Sequence, residues 1–196
     1  MLKKTALAAA LTVGMVPLGL MSTAQAADYV IDSENQHAFV QFRINHLGYS
    51  YLLGNFPGIT GEFQYDPENL DASAVSVEVD TASMTSHHAE RDKHIKGGDF
   101  LDVSAYPTAT FVSTSFTPEG EEAGVLVGDL TLHGETREIE MPVTLVGEGD
   151  DPWGGYRAGF EGQVTLNLED YGIDLSDFPE VMHELELYVT FEGVRQ

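Results

Sequence analysis

A strand-end histidine and a cluster of histidines with charged residues are the side chains in this sequence that could do chemistry. His46 follows Val40, Phe42 and Ile44 at two-residue spacing, which predicts that its imidazole faces the interior near a strand end. There it could meet the polar head of a ligand. The alternative is a structural histidine that hydrogen bonds to backbone or water.

The second candidate is the segment 87–94, which contains histidines and carboxylates. It could hold a metal ion if a helix placed enough of these side chains on one face. His87 and His94 would share a face, but at ~1.5 Å rise per residue they lie about 10 Å apart along the axis, too far for one zinc ion. The i,i+4 pairs lie on different faces and offer at most two ligands each. The sequence favours a salt-bridged helix, and we predict no metal.

The familiar catalytic motifs are missing from the sequence. It contains no cysteine, no Gly-x-Ser-x-Gly turn, no Gly-x-x-x-x-Gly-Lys loop and no Gly-x-Gly-x-x-Gly fingerprint. The acidic pair Asp150 and Asp151 is expected from composition alone, and it opens a turn that carries the only tryptophan, Trp153. That ring could cover the mouth of a barrel or plug it. We predict that the protein is not an enzyme.

The N-terminal residues predict an export signal. Lys3 and Lys4 precede an apolar run over residues 6–21, and Ala24-Gln25-Ala26 supplies the small residues that signal peptidase requires. We predict a cleaved signal over residues 1–26 and one mature domain over residues 27–196. A membrane anchor is the alternative, which the shortness of the run disfavours.

Charge and length limit the partners of the mature domain. Thirty-two acidic residues against nine basic ones give a net charge of −23, which repels nucleic acid and anionic lipid head groups. No segment after the signal is apolar enough over a sufficient length to cross a bilayer. We therefore expect no nucleic-acid partner and no integral membrane protein.

The elements that must position these residues are strands, because apolar residues recur at every second position. The clearest alternations cover residues 38–46, 75–79, 126–132, 139–145, 158–168 and 185–191. The segment 108–116 is ambiguous, since Phe111 lies on one face and Val112 with Phe116 on the other. A short helix is predicted over residues 86–96, with Ser86 as its N-cap.

A large antiparallel sheet can bury its apolar face against a second sheet or by closing into a barrel. Alternation does not separate these two folds. Glycines at inward positions, Gly61, Gly128 and Gly162, favour a barrel because they permit tight coiling and leave room along the axis. An eight-stranded barrel can be filled by its own side chains or can hold one small ligand.

Several motifs resemble those of a known family. They are Gln41-Phe42-Arg43-Ile44-Asn45-His46, Arg91-Asp92-Lys93-His94, Gly128-Asp129-Leu130-Thr131-Leu132-His133-Gly134 and Asp150-Asp151-Pro152-Trp153-Gly154-Gly155. The sequence is similar to the YceI-like proteins, lipocalin-like polyisoprenoid-binding proteins also classed as UPF0312. The resemblance implies an all-β, lipocalin-like eight-stranded antiparallel β-barrel with one short helical insertion, an apolar tunnel for an isoprenoid chain, a periplasmic location and often a homodimer.

The resemblance and the alternation together define the candidate ligand-binding residues. These are Val40, Phe42, Ile44, His46, Phe63, Val77, Phe111, Leu130, Phe160, Leu166 and Leu187. Arg91, His94 and Trp153 are candidates for contact with a lipid head group or for the barrel mouth. No cofactor is expected apart from the isoprenoid lipid or quinone itself.

Three functions remain open from the sequence. The first is a periplasmic carrier for a long-chain isoprenoid lipid, either a quinone or a polyprenyl chain. The second is a quinone-linked redox or stress-response accessory that acts on the bound head group. The third is a packed barrel that binds nothing, which a solid interior would support.

Overall fold

The structure is a computed structural model that describes residues 26–34 and 37–196. The predicted export signal therefore lies outside the described residues, except for Ala26 at its end, and it stays a prediction. The boundary of the mature domain at residue 27 stays a prediction for the same reason.

Ten strands and one α-helix make up the described fold, together with short 3-10 helices. The strands are β1 (Ala27–Ile31), β2 (Ala38–His46), β3 (Ser50–Phe56), β4 (Ile59–Tyr65), β5 (Ala74–Asp80), β6 (Thr108–Pro118), β7 (Ala123–Leu132), β8 (Glu135–Asp150), β9 (Tyr156–Asn167) and β10 (Glu184–Arg195). The helix is α1 (Ala89–Ile95), and the 3-10 helices are Leu70–Ala72, Thr81–Ser83, Leu168–Tyr171 and Glu180–Met182.

The strands close into an antiparallel barrel of eight positions. The order around the barrel is β1-β4-β5-β6-β7-β8-β9-β10, and β10 pairs back onto β1. Strand β2 pairs with the same edge of β10 as β1 does, farther along that strand, and β3 pairs with β2. The fold predicted from the alternation and the resemblance is confirmed.

Strand β3 is the element that alternation did not separate from its neighbour. Leu52 and Leu53 are adjacent, so the apolar residues there do not keep a two-residue period. Pro57 and Gly58 then form the connection between β3 and β4. The hairpin β2–β3 extends the sheet from the edge of β10, and Asn55 of β3 forms an isolated bridge with Thr85.

Helix α1 is shorter than predicted and begins at a different cap. His88 is the N-cap, and its Nδ1 accepts a hydrogen bond from the backbone N–H of Arg91 at 3.2 Å. Ser86 is instead held by Asp92, whose carboxylate accepts its backbone N–H and its hydroxyl. The prediction of Ser86 as the cap is wrong because its hydroxyl is already used by this carboxylate.

Strand β6 shows why its parity looked ambiguous. The pairing between β6 and β7 shifts register between Ser113 and Ser115, which marks a β-bulge. The extra residue reverses the alternation, so Phe111 and Phe116 both reach the interior although their positions differ by five, an odd number. The assignment of Phe116 to the opposite face from Phe111 is wrong for this reason.

Two apolar clusters stabilise the barrel. In the first, Tyr29 stacks on Phe63 with ring centroids 4.7 Å apart, among buried residues of β1, β2, β4 and β9 along one side of the barrel. In the second, Leu168, Ile173 and Leu175 pack together at the end beside α1. Fully burying a large apolar side chain contributes roughly 1.5–3 kcal/mol.

Candidate ligand-binding site

A cavity runs along the inside of the barrel. Its volume is about 210 Å³, counted as the space that the centre of a water molecule could occupy. On that measure a single water needs about 10–15 Å³. The interior is therefore hollow, and the packed barrel that binds nothing loses its structural basis.

The cavity wall is built from the inward residues of the strands. The apolar wall residues from β5 to β8 include Val75, Val77, Val79, Ala109, Phe111, Phe116, Leu126, Leu130, Leu132, Ile139, Met141, Val143 and Leu145. Strands β9 and β10 add Phe160, Gly162, Leu166, Leu185, Leu187, Val189 and Phe191. Such a wall offers dispersion contacts and few hydrogen bonds, which suits a hydrocarbon chain.

The end of the barrel beside α1 is closed. Leu166, Leu168 and Leu185 line the cavity there, together with Leu101 from the segment after α1. Leu168 belongs to the buried cluster with Ile173 and Leu175, against which Leu101 and Leu185 also pack. This cluster separates the cavity from solvent at that end.

The opposite end is open. The wall residues that are exposed to solvent are Gln64, Ala74, Glu121 and Glu122, and all four lie at this end of their strands or in the turn after β6. The 3-10 helix Leu70–Ala72, which precedes β5, contacts β6 at this end of the barrel. We call this opening, between residues 66–74 and 118–123, the mouth.

A tyrosine near the mouth brings a hydroxyl to the apolar wall. Tyr65 is buried and lines the cavity, and its hydroxyl lies 3.5 Å from Oε1 of Glu148. Burial is the main cause that raises the pKa of Tyr65 to about 12, and the Glu148 carboxylate adds to it. The hydroxyl of Tyr65 therefore stays protonated at neutral pH.

Eight of the predicted ligand-binding residues lie together in the cavity wall. They are Val40, Phe63, Val77, Phe111, Leu130, Phe160, Leu166 and Leu187. Each was selected for an apolar side chain at an inward position, and the barrel brings those positions onto one surface. Their contact with a ligand stays a prediction.

The other three predicted residues of β2 lie outside the cavity wall. Phe42 is buried, but its ring packs against Phe56 and over Gly54 in the β2–β3 hairpin. Ile44 packs against the cluster at the closed end. His46 is half-buried, opposite Ser50 at the end of the hairpin. Beyond Val40, the side chains on the inward face of β2 no longer reach the cavity.

The structure does not bring the three head-group candidates together. Arg91 is tied to Ser86, with Nε donating to its hydroxyl at 2.7 Å and Nη2 to its carbonyl at 2.6 Å. His94 packs edge-on to Phe100 beside α1. Trp153 is 77% exposed in the β8–β9 loop, far along the barrel from α1. None of the three lines the cavity.

The β8–β9 loop is held by a buried group of charges. The carboxylate of Asp151 accepts hydrogen bonds from the backbone N–H groups of Trp153 and Gly155. It also accepts one from Nε of Arg157 at 3.0 Å. These hydrogen bonds, the largest contribution coming from the N–H of Gly155, lower the pKa of Asp151 below its ordinary value. The guanidinium of Arg157 also lies 5.4 Å from the centre of the Trp153 ring.

Several wall residues were not found from the sequence. Leu70 and Leu101 lie in connecting segments, where no periodicity could mark them, and Phe116 was hidden by the bulge. The inward residues of β8, by contrast, carried a clear signal in their alternation. Applying the inward parity of each predicted strand throughout would have found Ile139, Met141 and Val143.

The described residues carry no sign of other common sites. No group of three or more His, Cys, Asp or Glu side chains among them is arranged to hold a metal ion. None of the helices in that part of the chain has the length and apolar character needed to span a membrane.

The family is decided by a match that covers most of the chain. The sequence model of the YceI-like domain matches residues 29–193. The chain belongs to the YceI-like family. A UPF0312 protein of Pseudomonas aeruginosa strain LESB58 is 50% identical over 196 residues, the full length of both proteins.

Solved structures share the fold of this YceI-like protein. Burkholderia cenocepacia BcnA aligns with a TM-score of 0.73 at 19% identity, covering 83% of this chain and 98% of BcnA. A polyisoprenoid binding domain from Saccharophagus degradans, implicated in plant cell wall breakdown, aligns with a TM-score of 0.66 at 12% identity, covering 88% and 100%. At these identities the likeness is one of fold.

Proposed function

We propose that the protein binds one long-chain isoprenoid lipid in the barrel cavity and carries it in the periplasm. The observation that supports this most is a cavity with apolar walls, closed at one end by Leu168 and its neighbours and open at the other. A hydrocarbon tail could enter such a cavity at the mouth and be shielded from water along its length.

The height of the barrel suits a long tail. Strands β9 and β10 have 12 residues each. At about 3.4 Å per residue and a tilt of about 40°, strands of this length give a barrel about 30 Å tall. The wall residues extend from Leu168 at the closed end to Glu121 at the mouth, so the cavity follows most of that height.

Burial of the tail supplies the affinity in this proposal. Each methylene-sized group transferred from water contributes about 0.8 kcal/mol. Ordering the chain and losing its free motion offset a large part of that sum. Affinity should therefore increase with tail length until the cavity is full.

The comparisons support the same ligand class. The solved polyisoprenoid binding domain from Saccharophagus degradans shares this fold, and the chain belongs to a family with that barrel. The predicted export signal supports a periplasmic site of action. We place the protein there as a carrier, with the lipid protected between two membranes.

The alternative, a redox or stress-response accessory, would need a reactive side chain beside the head group. Among the described residues, the cavity wall includes no histidine, cysteine, lysine or arginine, and its ionisable side chains are Tyr65, Glu121, Glu122 and Glu161. Glu121 and Glu122 are exposed to solvent at the mouth, and the wall therefore lacks the imidazole, thiol and amine groups that most often serve as bases and nucleophiles. A binding role without catalysis fits the wall better.

The test is whether the protein takes up a lipid through this cavity. Purified protein is denatured and extracted, and the extract is analysed by mass spectrometry, before and after incubation with a long-tailed quinone. We expect an isoprenoid lipid at about one per protein. Absence of any lipid, with no uptake of the quinone, would overturn the proposal.

Two adjacent positions on β5 provide a matched pair of variants. Val77 lines the cavity, and Ser76 is exposed on the outer face of the same strand. Val77→Trp should fill the middle of the cavity and abolish uptake, whereas Ser76→Trp should leave uptake unchanged. Equal uptake by both variants would show that the lipid lies elsewhere.

A further inference from the structure

We infer that the head group of the bound lipid stays at the mouth and carries no charge, so that the ligand is a prenol or a quinone and not a prenyl phosphate or diphosphate. The inference rests on the proposed function and adds the class of head group. It follows from the polarity of the two ends and from the sign of the charges around the mouth.

The orientation of the lipid follows from the two ends of the cavity. The closed end presents the leucines Leu101, Leu166, Leu168 and Leu185. A polar head group buried there would lose its hydrogen bonds to water without replacement, at a cost of several kcal/mol by transfer measurements. The tail therefore enters first, and the head group remains where solvent reaches the wall.

The charged residues in the two segments that form the mouth are all acidic. Residues 66–74 carry Asp66, Glu68 and Asp71, and residues 118–123 carry Glu119, Glu121 and Glu122. Neither segment contains a lysine, an arginine or a histidine. A phosphate monoester carries about −1.5 to −2 charges at neutral pH, so a phosphate held at the mouth would face the six carboxylates of these two segments.

Two of the described cations, Arg157 and Arg195, lie at the same end of the barrel as the mouth but outside its two segments, and the others lie at the closed end or outside the cavity. Arg91, Lys93 and Lys96 belong to α1 or its C-cap at the closed end, and Arg137 lies near the start of β8 at that same end. Arg43 pairs with Glu186 outside the cavity. Arg157 and Arg195 belong to β9 and β10, which lie opposite β5 and β6 in the order around the barrel.

The cation on β9 is also neutralised locally. Arg157 contacts the carboxylates of Asp32, Asp151 and Glu192 at 2.6, 3.0 and 3.1 Å. One guanidinium surrounded by three carboxylates is not free to bind a phosphate. None of the described lysines and arginines lines the cavity.

One hydroxyl at the mouth is suited to an uncharged oxygen. Ser73 lines the cavity, and its Oγ is buried without a hydrogen-bond partner among the described residues. Buried hydroxyls normally have a partner. The carbonyl of a quinone or the hydroxyl of a prenol could accept this hydrogen bond without bringing a charge to the acidic rim.

The test compares lipids that differ only in the head group. A long-chain prenol, its monophosphate ester and a quinone with the same tail compete for the purified protein, and native mass spectrometry measures the bound fractions. We expect the prenol and the quinone to bind at least about tenfold more tightly than the phosphate at low salt. The difference should shrink at high salt, since the Debye length falls from about 30 Å at 0.01 M to about 3 Å at 1 M.

Two double variants separate the local effect of the mouth from net charge. Glu121→Gln with Glu122→Gln removes two carboxylates at the mouth. Glu138→Gln with Glu140→Gln removes two exposed carboxylates on the outer face of β8, which changes the net charge equally. The first variant should narrow the preference against phosphate several-fold, and the second should leave it close to that of the wild type.

The outcomes distinguish this inference from the proposed function. Equal or tighter binding of the phosphate, or equal effects of the two double variants, would overturn the inference that the head group is uncharged. The proposal that the protein binds a lipid would still stand. Failure of all three lipids to bind would overturn the proposed function itself. Ser73→Ala should weaken the prenol and the quinone while leaving a hydrocarbon with the same tail unaffected, and a uniform loss would remove Ser73 from the head-group site.

Discussion

Arg157 and Asp32 lie 125 residues apart in the sequence, and Nη1 of Arg157 contacts Oδ2 of Asp32 at 2.6 Å. The side chains of both residues are largely buried, at 17% and 5% exposure. The contact joins the start of β9 to the residue that follows β1. It therefore helps to close the barrel at the end where the mouth lies.

Removing this guanidinium should destabilise the fold strongly. Arg157→Ala removes the guanidinium from both carboxylates, leaving Asp32 with His37 Nδ1 at 3.1 Å and Asp151 with the N–H groups of Trp153 and Gly155. Removing one partner of a fully buried pair costs about 3–5 kcal/mol, which is the upper end of the expected loss. Arg137→Ala is the control, because its pair with Glu135 is about half exposed on both sides and exposed pairs contribute about 0–1 kcal/mol. Urea denaturation of both variants measures the free energies of unfolding, and equal losses would contradict the assigned role of Arg157.

Stability should decrease in acid partly through Asp151. Its pKa is lowered in the folded protein, first by the N–H of Gly155, so the unfolded chain takes up a proton near pH 4 while the folded carboxylate is still ionised. The unfolded state then binds more protons, and the free energy of unfolding falls as the pH falls through the folded pKa. Above about pH 5 this contribution is fully present.

The Asp151→Asn variant isolates that contribution. Asparagine keeps an oxygen that can accept the loop N–H groups but has no carboxyl to titrate. We expect Asp151→Asn to be less stable than the wild type at pH 7 and to lose less stability between pH 5 and pH 2. Asp150→Asn provides the control at an exposed neighbouring position. An unchanged acid slope in Asp151→Asn would show that the pKa shift of Asp151 does not matter for stability.

A methyl group at Gly128 should not fit. A Cβ atom there would lie 2.5 Å from Cζ of Phe111 and 2.6 Å from the backbone oxygen of Val112. Overpacking of this kind costs typically about 1–3 kcal/mol. Gly147→Ala is the control, because a Cβ atom at that position meets nothing within 4 Å. A thermal denaturation midpoint of Gly128→Ala equal to that of Gly147→Ala would contradict this close approach.

Replacing His46 separates binding from chemistry. Because His46 lies outside the cavity wall, His46→Ala should retain the lipid content of the wild type. A loss of lipid in this variant would return His46 to the binding site. Turnover of a bound quinone by the wild type, abolished in His46→Ala with the lipid retained, would instead support the redox accessory.

Alternation and composition were sufficient to predict much of this protein. Strand β2 was predicted with its observed bounds, and its inward residues Ala38, Val40 and Phe42 are buried while Phe39 and Gln41 are exposed. Side-chain parity within a strand is a local property, so it can be obtained from spacing. Gly128 was correctly predicted to be inward, but the ring of Phe111 approaches it closely, so it leaves no room along the axis.

Residue spacing and composition predicted most of the strands, most of their inward faces, the acidic character of the chain and eight residues of the cavity wall. Which inward residues share the cavity depends on pairing between strands distant in sequence, and spacing carries no information about that pairing. The tertiary structure packs Ile44 against the cluster at the closed end and Phe42 in the β2–β3 hairpin, and the bulge in β6 brings Phe116 inside. The two segments of the mouth, residues 66–74 and 118–123, are likewise brought together by the pairing of β5 with β6.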